Sequence, residues 1–287
     1  LVQRVILHGH IFKNAGTTLD WSFARSFGEG FLDHRQDQVM IQHGGAHLRD
    51  ILRASPQLSV ISSHHMPRDL PNIENLQFQP LYLLRHPLLR LRSAYRFERQ
   101  QDADTPGAQA AREKDFANYV RWRMQHDVSR TIRNYQTVYL AGFHRRASNA
   151  LLALKCFSDA IETFKAVPLI GLVEDYDTSM VVFESVLKQD FPELDLAYVA
   201  QNVTQPTRVA ADTDQEVASV LAELGDLAKT VIDENSYDLA LYQLVKARLG
   251  SQTAAIADFS DRLAAFNQRC DALRPVMPRV GQLLKKS

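Results

Sequence analysis

Short apolar runs of β type alternate with amphipathic helical stretches through the first half of the chain, and this alternation constrains the fold more than any single residue does. Residues 4–10 (RVILHGH) read as a strand, 16–27 as a helix, 38–42 as a strand and 45–53 as a helix. Residues 58–62 (LSVIS) and 79–84 (QPLYLL) read as further strands, with a helix starting near Pro87. Parallel neighbours need long crossover connections, which helices supply, so the pattern predicts an α/β fold with a mostly parallel sheet flanked by helices. In open sheets of this kind ligands sit beyond the carboxyl ends of the strands. Three polar turns fall at such ends: the one after His10, SSHHMP after Ile61, and RHP after Leu84. They are expected to converge.

The second half reads as mostly helical, at about 147–165, 177–190, 213–225 and 229–249, with one more β-type run at 168–173 (PLIGLV) and a helical continuation to about 273. Asp175 and Asp177 read as N-caps of the helix that follows them. The polar stretch 102–112 (DADTPGAQAAR), with its Pro and Gly, reads as a loop between helices. With 287 residues, 45% of them hydrophobic, the chain can bury a large core, and one domain over 1–250 with a helical extension over 251–287 is expected.

Thirty-three basic residues balance thirty-three acidic ones, so no global field draws the protein to nucleic acid or to an anionic membrane, and any anion site must be built locally. Cys156 and Cys270 are the two cysteines, without a C-x-x-C pattern, which argues against a disulfide framework or a thiolate metal site. No stretch approaches ~18 consecutive apolar residues, and the opening LVQRVILHGH lacks the layout of a signal peptide, so no membrane-spanning segment is expected in this chain.

The turn after the first strand reads HGHIFKNAGTT, residues 8–18. A strand that feeds a helix through small residues aims free backbone N–H groups, and the positive end of the helix dipole, at one point suited to an anion. The common nucleotide loop is G-x-x-x-x-G-K-[ST], but here Lys13 precedes Gly16 and Thr17-Thr18 follow it. Lys13, Asn14, Ala15, Gly16, Thr17 and Thr18 therefore form a phosphate cradle of a different order. A second motif, LYLLRHPLLRLRSAY (81–95), delivers Arg85 at a strand end, places Pro87 in the first helical turn and brings Ser93 two turns later. A planar cation and a hydroxyl suit a terminal phosphate. Alternatively, Arg85, Arg90, Arg92 and Arg96 form a solvated helix face.

Taken together, the two motifs resemble those of the sulfotransferases that use 3′-phosphoadenosine 5′-phosphosulfate (PAPS), in which a loop of the type H-I-P-K-T-A-G-T-S is paired with R-D-P-x-x-R-x-x-S-x-Y. Here these read HIFKNAGTT (10–18) and RHPLLRLRSAY (85–95). The most similar branch is that of the carbohydrate sulfotransferases related to heparan sulfate uronyl 2-O-sulfotransferase and their bacterial relatives. Weaker similarity in NYQTVYLAG (134–142), GLVEDYDTS (171–179) and SYDLALY (236–242) extends the resemblance over about 4–245. Phe12 stands where the family has Pro, Asn14 where it has Thr, and His86 where it commonly has Asp or Asn.

The resemblance implies a P-loop-like fold and O-sulfotransferase activity, with adenosine 3′,5′-bisphosphate as product, a glycan as acceptor and no metal. Lys13, Asn14, Ala15, Gly16, Thr17 and Thr18 would hold the 5′-phosphosulfate, Lys13 also meeting the charge on the leaving group. Arg85 and Ser93 would hold the 3′-phosphate, and Arg208, near Asn202 and Thr204, would lie in a loop closing over the nucleotide. For the base, the family's histidine matches His65 by its H-x-P spacing and His64 when slid by one residue. Asn134, Tyr135 and Gln136 would form part of the site wall or a buried hydrogen-bonding group. A cytoplasmic protein of bacterial type is implied, or a Golgi-lumen one if an anchor has been removed. Two other classes remain: a kinase-like phosphotransferase, which lacks the Gly-Lys-Ser/Thr order and a clear Mg²⁺ carboxylate, and a non-catalytic nucleotide-binding protein. His8 and His10 alternate on the first strand, and His43 and His47 lie four apart, but without an H-E-x-x-H pattern no metal centre is expected.

Overall fold

The computed structural model describes residues 2–142, 150–200 and 212–274. Its sheet comprises β1 (Gln3–Gly9), β2 (Phe31–His34), β3 (Val60–Ser63), β4 (Leu76–Leu84) and β5 (Leu169–Leu172), all parallel, in the order β2-β3-β1-β4-β5. β1 is central, and Val5, Ile6 and Leu7 are fully buried because helices cover both faces of the sheet. Successive residues serve opposite faces. Ile6, Leu81, Leu83 and Leu169 pack with Leu19, Met180 and Phe183, whereas Val5 and Leu7 pack with Met40, Leu48 and Leu52, and Tyr82, Leu84 and Ile170 with Leu241 and Val245.

The first-half crossovers are α1 (Gly16–Phe27), α2 (Asp37–Ala54) and α3 (Pro87–Gln100), with α4 (Pro106–Glu113) and α5 (Phe116–Arg123) beyond them. Two expectations fail here. Residues 38–42 are helical: Val39, Met40 and Ile41 resemble a strand, but of these only Met40 is buried, on the α2 face shared with Leu48 and Leu52, and α2 kinks at Gly44 (φ 43°). The strand lies earlier, at β2, after a 3₁₀ turn over Gly28–Gly30. The polar stretch 102–112 is not all loop, because Thr105 caps α4 by accepting the Ala108 N–H at 3.3 Å and Pro106 takes the first helical position, which needs no donor.

The remaining helices are α6 (Tyr135–Leu140), α7 (Ala150–Ala166), α8 (Tyr176–Leu187), α9 (Thr213–Leu224), α10 (Ala228–Glu234), α11 (Ser236–Ala254) and α12 (Phe259–Leu273). Position 250 falls inside α11, and α12 sinks Phe266 and Cys270 into the cluster that holds Leu19 and Met180. Asp175 occupies the N-cap position of α8 without a side-chain cap bond, while Asp177 in the first turn accepts from the Tyr198 hydroxyl at 2.7 Å. No helix among the described residues is long and apolar enough to cross a membrane.

Candidate functional site

The turn between β1 and α1 is held in a conformation that side chains rarely adopt. Lys13 (φ 66°) and Ala15 (φ 59°) are both left-handed, on either side of Asn14. Each costs about 1–2 kcal/mol relative to a right-handed residue, so the surrounding structure must fix them. Asn14 does this: it is 2% exposed, and its Nδ2 donates to the Leu83 carbonyl and to Gln136 Oε1, both at 2.7 Å. A threonine at this position would be too short to make both bonds. α1 has no side-chain cap, and the N–H groups of Lys13, Ala15, Gly16 and Thr17 have no acceptor among the described residues. Left-handed turn residues running into an uncapped helix N-terminus form the kind of concavity that holds an anion. Gly16 is required by packing, since a Cβ there would lie 2.3 Å from the His10 ring.

The strand end that carries Arg85 is tied to this turn. Arg85 Nη1 donates to the Lys13 carbonyl at 3.2 Å, across 72 residues of sequence. Gln136 locks the junction, its Oε1 accepting the Arg85 N–H at 2.8 Å and its Nε2 donating to the Arg85 carbonyl at 2.9 Å. Burial, then the Arg85 charge, pushes the Lys13 ammonium down to about 8; its Nζ rests 4.2 Å from the centre of the Phe97 ring, which also meets Phe12 edge-on. Burial pushes Arg85 down too, opposed by Glu174, whose Oε1 is 3.7 Å from Arg85 Nε. Lys13, lowered by burial and by Arg85, and Arg85, lowered by burial, would both be stabilised in their charged forms by an anion.

Thr17 is half-buried and Thr18 buried in the first turn of α1, and Ser93 is half-buried on α3 with no hydrogen-bond partner among the described residues. The solvated-face alternative fails at Arg90, which is fully buried, donates to the Thr131 carbonyl at 2.6 Å and stacks 4.6 Å from the Tyr135 ring centre. His86 neither points outward nor carries charge: it is buried edge-on against Tyr242, and burial pushes its pKa down to about 4.

His64 and His65 diverge, as neighbours at a strand end do. His64 Nδ1 lies 3.0 Å from the His10 carbonyl, and because a carbonyl only accepts, the proton is on Nδ1 and Nε2 keeps its lone pair. The His64 ring is 4.5 Å from that of His10, which itself touches Gly16, so His64 stands one ring away from the turn. His65 faces elsewhere, its Nε2 3.9 Å from Asp37 at the start of α2. Burial lowers the pKa of both.

Behind the turn lies a group that sequence reading missed. Asp20 on α1 is 2.7 Å from Nδ1 of His8 through one oxygen and 2.7 Å from Nδ1 of His10 through the other, with Arg35 Nη2 3.1 Å from that second oxygen. The available signal was the i, i+2 spacing of the two histidines, which puts them on one sheet face, together with an aspartate on the buried side of α1. His8, His10 and Asp20 are also the one group of three His, Cys, Asp or Glu among the described residues whose potential ligand atoms lie within 4.8 Å of one another. His43 is exposed, and His47 pairs instead with His34, Nε2 to Nε2 at 2.9 Å.

The NYQT segment proves to be a keystone. Asn134 is left-handed (φ 44°) and accepts from the Tyr237 and Asp238 N–H groups, while Asp238 accepts the Gln136 and Thr137 N–H groups. Asn202, Thr204 and Arg208 lie outside the described residues. No family model matches the chain. It is 28% identical over 254 residues to a protein of Archaeoglobus fulgidus described as uncharacterised, an alignment covering 85% of this chain and 97% of that relative.

Proposed function

We propose that the protein is a PAPS-dependent O-sulfotransferase of P-loop-like fold that transfers a sulfuryl group to a carbohydrate hydroxyl. The observation that carries this reading is the bond from Arg85 to the Lys13 carbonyl, which brings two distant motifs into one cationic site beside an uncapped helix. The turn N–H groups, Thr17 and Thr18 hold the 5′-phosphosulfate, and Arg85 and Ser93 hold the 3′-phosphate. The acceptor oxygen bonds to sulfur as the bond from sulfur to the bridging phosphate oxygen breaks. Lys13 meets the charge that develops on that oxygen, and the acceptor proton passes to a histidine. Spacing favours His65 as that base, but the fixed lone pair and the proximity to the turn favour His64, which we assign.

Direct binding separates this reading from a phosphotransferase: adenosine 3′,5′-bisphosphate is expected to bind well and ATP with Mg²⁺ poorly. Arg85→Ala is expected to weaken adenosine 3′,5′-bisphosphate by about 1.5–3 kcal/mol, the scale of hydrogen bonds to a charged group, and adenosine 5′-phosphate hardly at all. Equal losses for the two nucleotides, measured by titration calorimetry, would remove the 3′-phosphate assignment. Labelled sulfate transfer from PAPS to a panel of glycans tests turnover and excludes a mere binding protein.

A further inference from the structure

We propose that Asp20 is a positioning residue: its buried carboxylate fixes the rings and tautomers of His8 and His10, and the His10 ring so held forms the wall against which Gly16 and the His64 ring pack. The part concerning catalysis rests on the sulfotransferase reading; the part concerning proton placement does not. Asp20 is 6% exposed and its two oxygens are divided, Oδ1 to His8 and Oδ2 to His10, each at 2.7 Å. Because an ionised carboxylate only accepts, both imidazoles carry their proton on Nδ1; Ser62 Oγ lies 3.1 Å from the His8 Nδ1, and Arg35 Nη2 lies 3.2 Å from the His10 Nδ1 but directs its own proton to Asp20 Oδ2 at 3.1 Å. Burial opposes the charge on Asp20, but the two imidazoles outweigh it and hold the carboxyl well below its ordinary range. Arg35, paired also with Asp33 at 2.5 Å, supplies the balancing cation.

The consequence reaches the site through contact. With Nδ1 held by Asp20, the opposite edge of the His10 ring lies over Gly16, where its Cδ2 and Nε2 occupy the space a Cβ would need. The same residue's carbonyl holds His64 Nδ1 at 3.0 Å, and its ring forms a wall for the His64 ring. The charged and titratable groups facing His10 and His64 are Asp20 from α1, His8 from β1, Arg35 after β2, Asp37 from α2 and each other. Among the described residues Asp20 is the one anion in direct contact with a ring of this pair, so the orientation of the His10 ring, and with it the wall facing His64, depends on it.

Asp20→Asn keeps shape and size but offers one acceptor oxygen and an NH₂ donor, so one of His8 and His10 must move its proton to Nε2 to receive a hydrogen bond. Histidine-selective ¹⁵N labelling and long-range ¹H–¹⁵N correlation at about pH 8 read this directly. In the wild type, His8, His10 and His64 are each expected as the Nδ1–H tautomer; in Asp20→Asn, His8 or His10 switches, while His64, held by the His10 carbonyl, keeps its proton on Nδ1. Turnover is expected to fall about 10–100-fold, the usual scale for a group that orients an active side chain, with adenosine 3′,5′-bisphosphate affinity unchanged. A wild-type His10 with its proton on Nε2 overturns the proposal whether or not the variant folds. So does an unchanged set of tautomers in a folded Asp20→Asn. One equivalent of Zn²⁺ binding to the wild type with shifts of both His8 and His10 would also overturn it, since Asp20 would then be a ligand. The expected tautomers in a protein without sulfate transfer would leave the positioning intact and refute only the sulfotransferase reading.

Discussion

Asp238→Ala is expected to cost about 3–5 kcal/mol of stability, the scale of losing one partner from a buried ionic network. Asp238 is 0% exposed and accepts four hydrogen bonds: from the Thr137 N–H and Oγ1 at 2.7 Å each, from the Gln136 N–H at 3.1 Å and from Gln136 Nε2 at 3.4 Å. These donors belong to the first turn of α6, a helix of six residues. So short a helix has no stability of its own, and its leading N–H groups have no partner within it. Arg90, fully buried, also feels Asp238 as its main opposing charge. Alanine removes the acceptor and leaves a cation and several donors uncompensated in the interior, each donor worth about 1–3 kcal/mol if unmet. Asp233→Ala, breaking an exposed i, i+4 pair with Lys229, is the contrasting case and is expected to stay within about 0.5 kcal/mol. Urea unfolding of the two variants checks both values, and a loss below about 1 kcal/mol for Asp238→Ala would show that Gln136 and the turn are held by other means.

What the sequence disclosed, and what it hid, divides along the range of the interactions. Four of the five strands and the whole of α1 follow from local signals: continuous apolar runs for strands covered on both sides, and a glycine-led start for a helix covered on one. β2 escaped because FLDH is short and half polar, while Val39, Met40 and Ile41 imitated a strand inside α2. Thr105-Pro106 is a legible helix start that was outweighed by the surrounding polarity. In the candidate site, the placing of Lys13, Gly16 and Arg85 at neighbouring strand ends was legible because it follows from the local strand–turn–helix pattern. Asp20 and Asp238 were not, since each acts on partners placed by tertiary contacts, His8 and His10 in one case and α6 in the other. Asn14 lies between these cases: its position in the motif was evident, but its bond to Gln136 spans 122 residues.

His64→Ala is expected to lower turnover by about 10²–10⁴-fold with nucleotide affinity intact, the usual span for loss of a general base. His65→Ala, removing a ring that faces Asp37 instead, is expected to cost only a few-fold. The pH profile carries the sharper test. A base must be neutral to accept the acceptor's proton, so the rate falls as pH drops through the His64 pKa, which burial, then the charges of His10 and Arg35, hold below the ordinary ~6.5 against the opposing pull of its bond to the His10 carbonyl. Lys13 acts in the opposite direction: it must be charged, and its pKa of about 8 makes kcat/KM fall as pH rises through that value in the free protein. The expected profile is a bell whose acid side belongs to His64 and whose alkaline side belongs to Lys13. A bound anion favours the charged lysine, so the alkaline side should lie higher in kcat than in kcat/KM. Lys13→Arg should abolish the alkaline limb at some cost in rate, because a guanidinium stays charged throughout. If the acid limb survives unchanged in His64→Ala, or that variant turns over normally, the proton goes elsewhere and His64 is only a wall of the site.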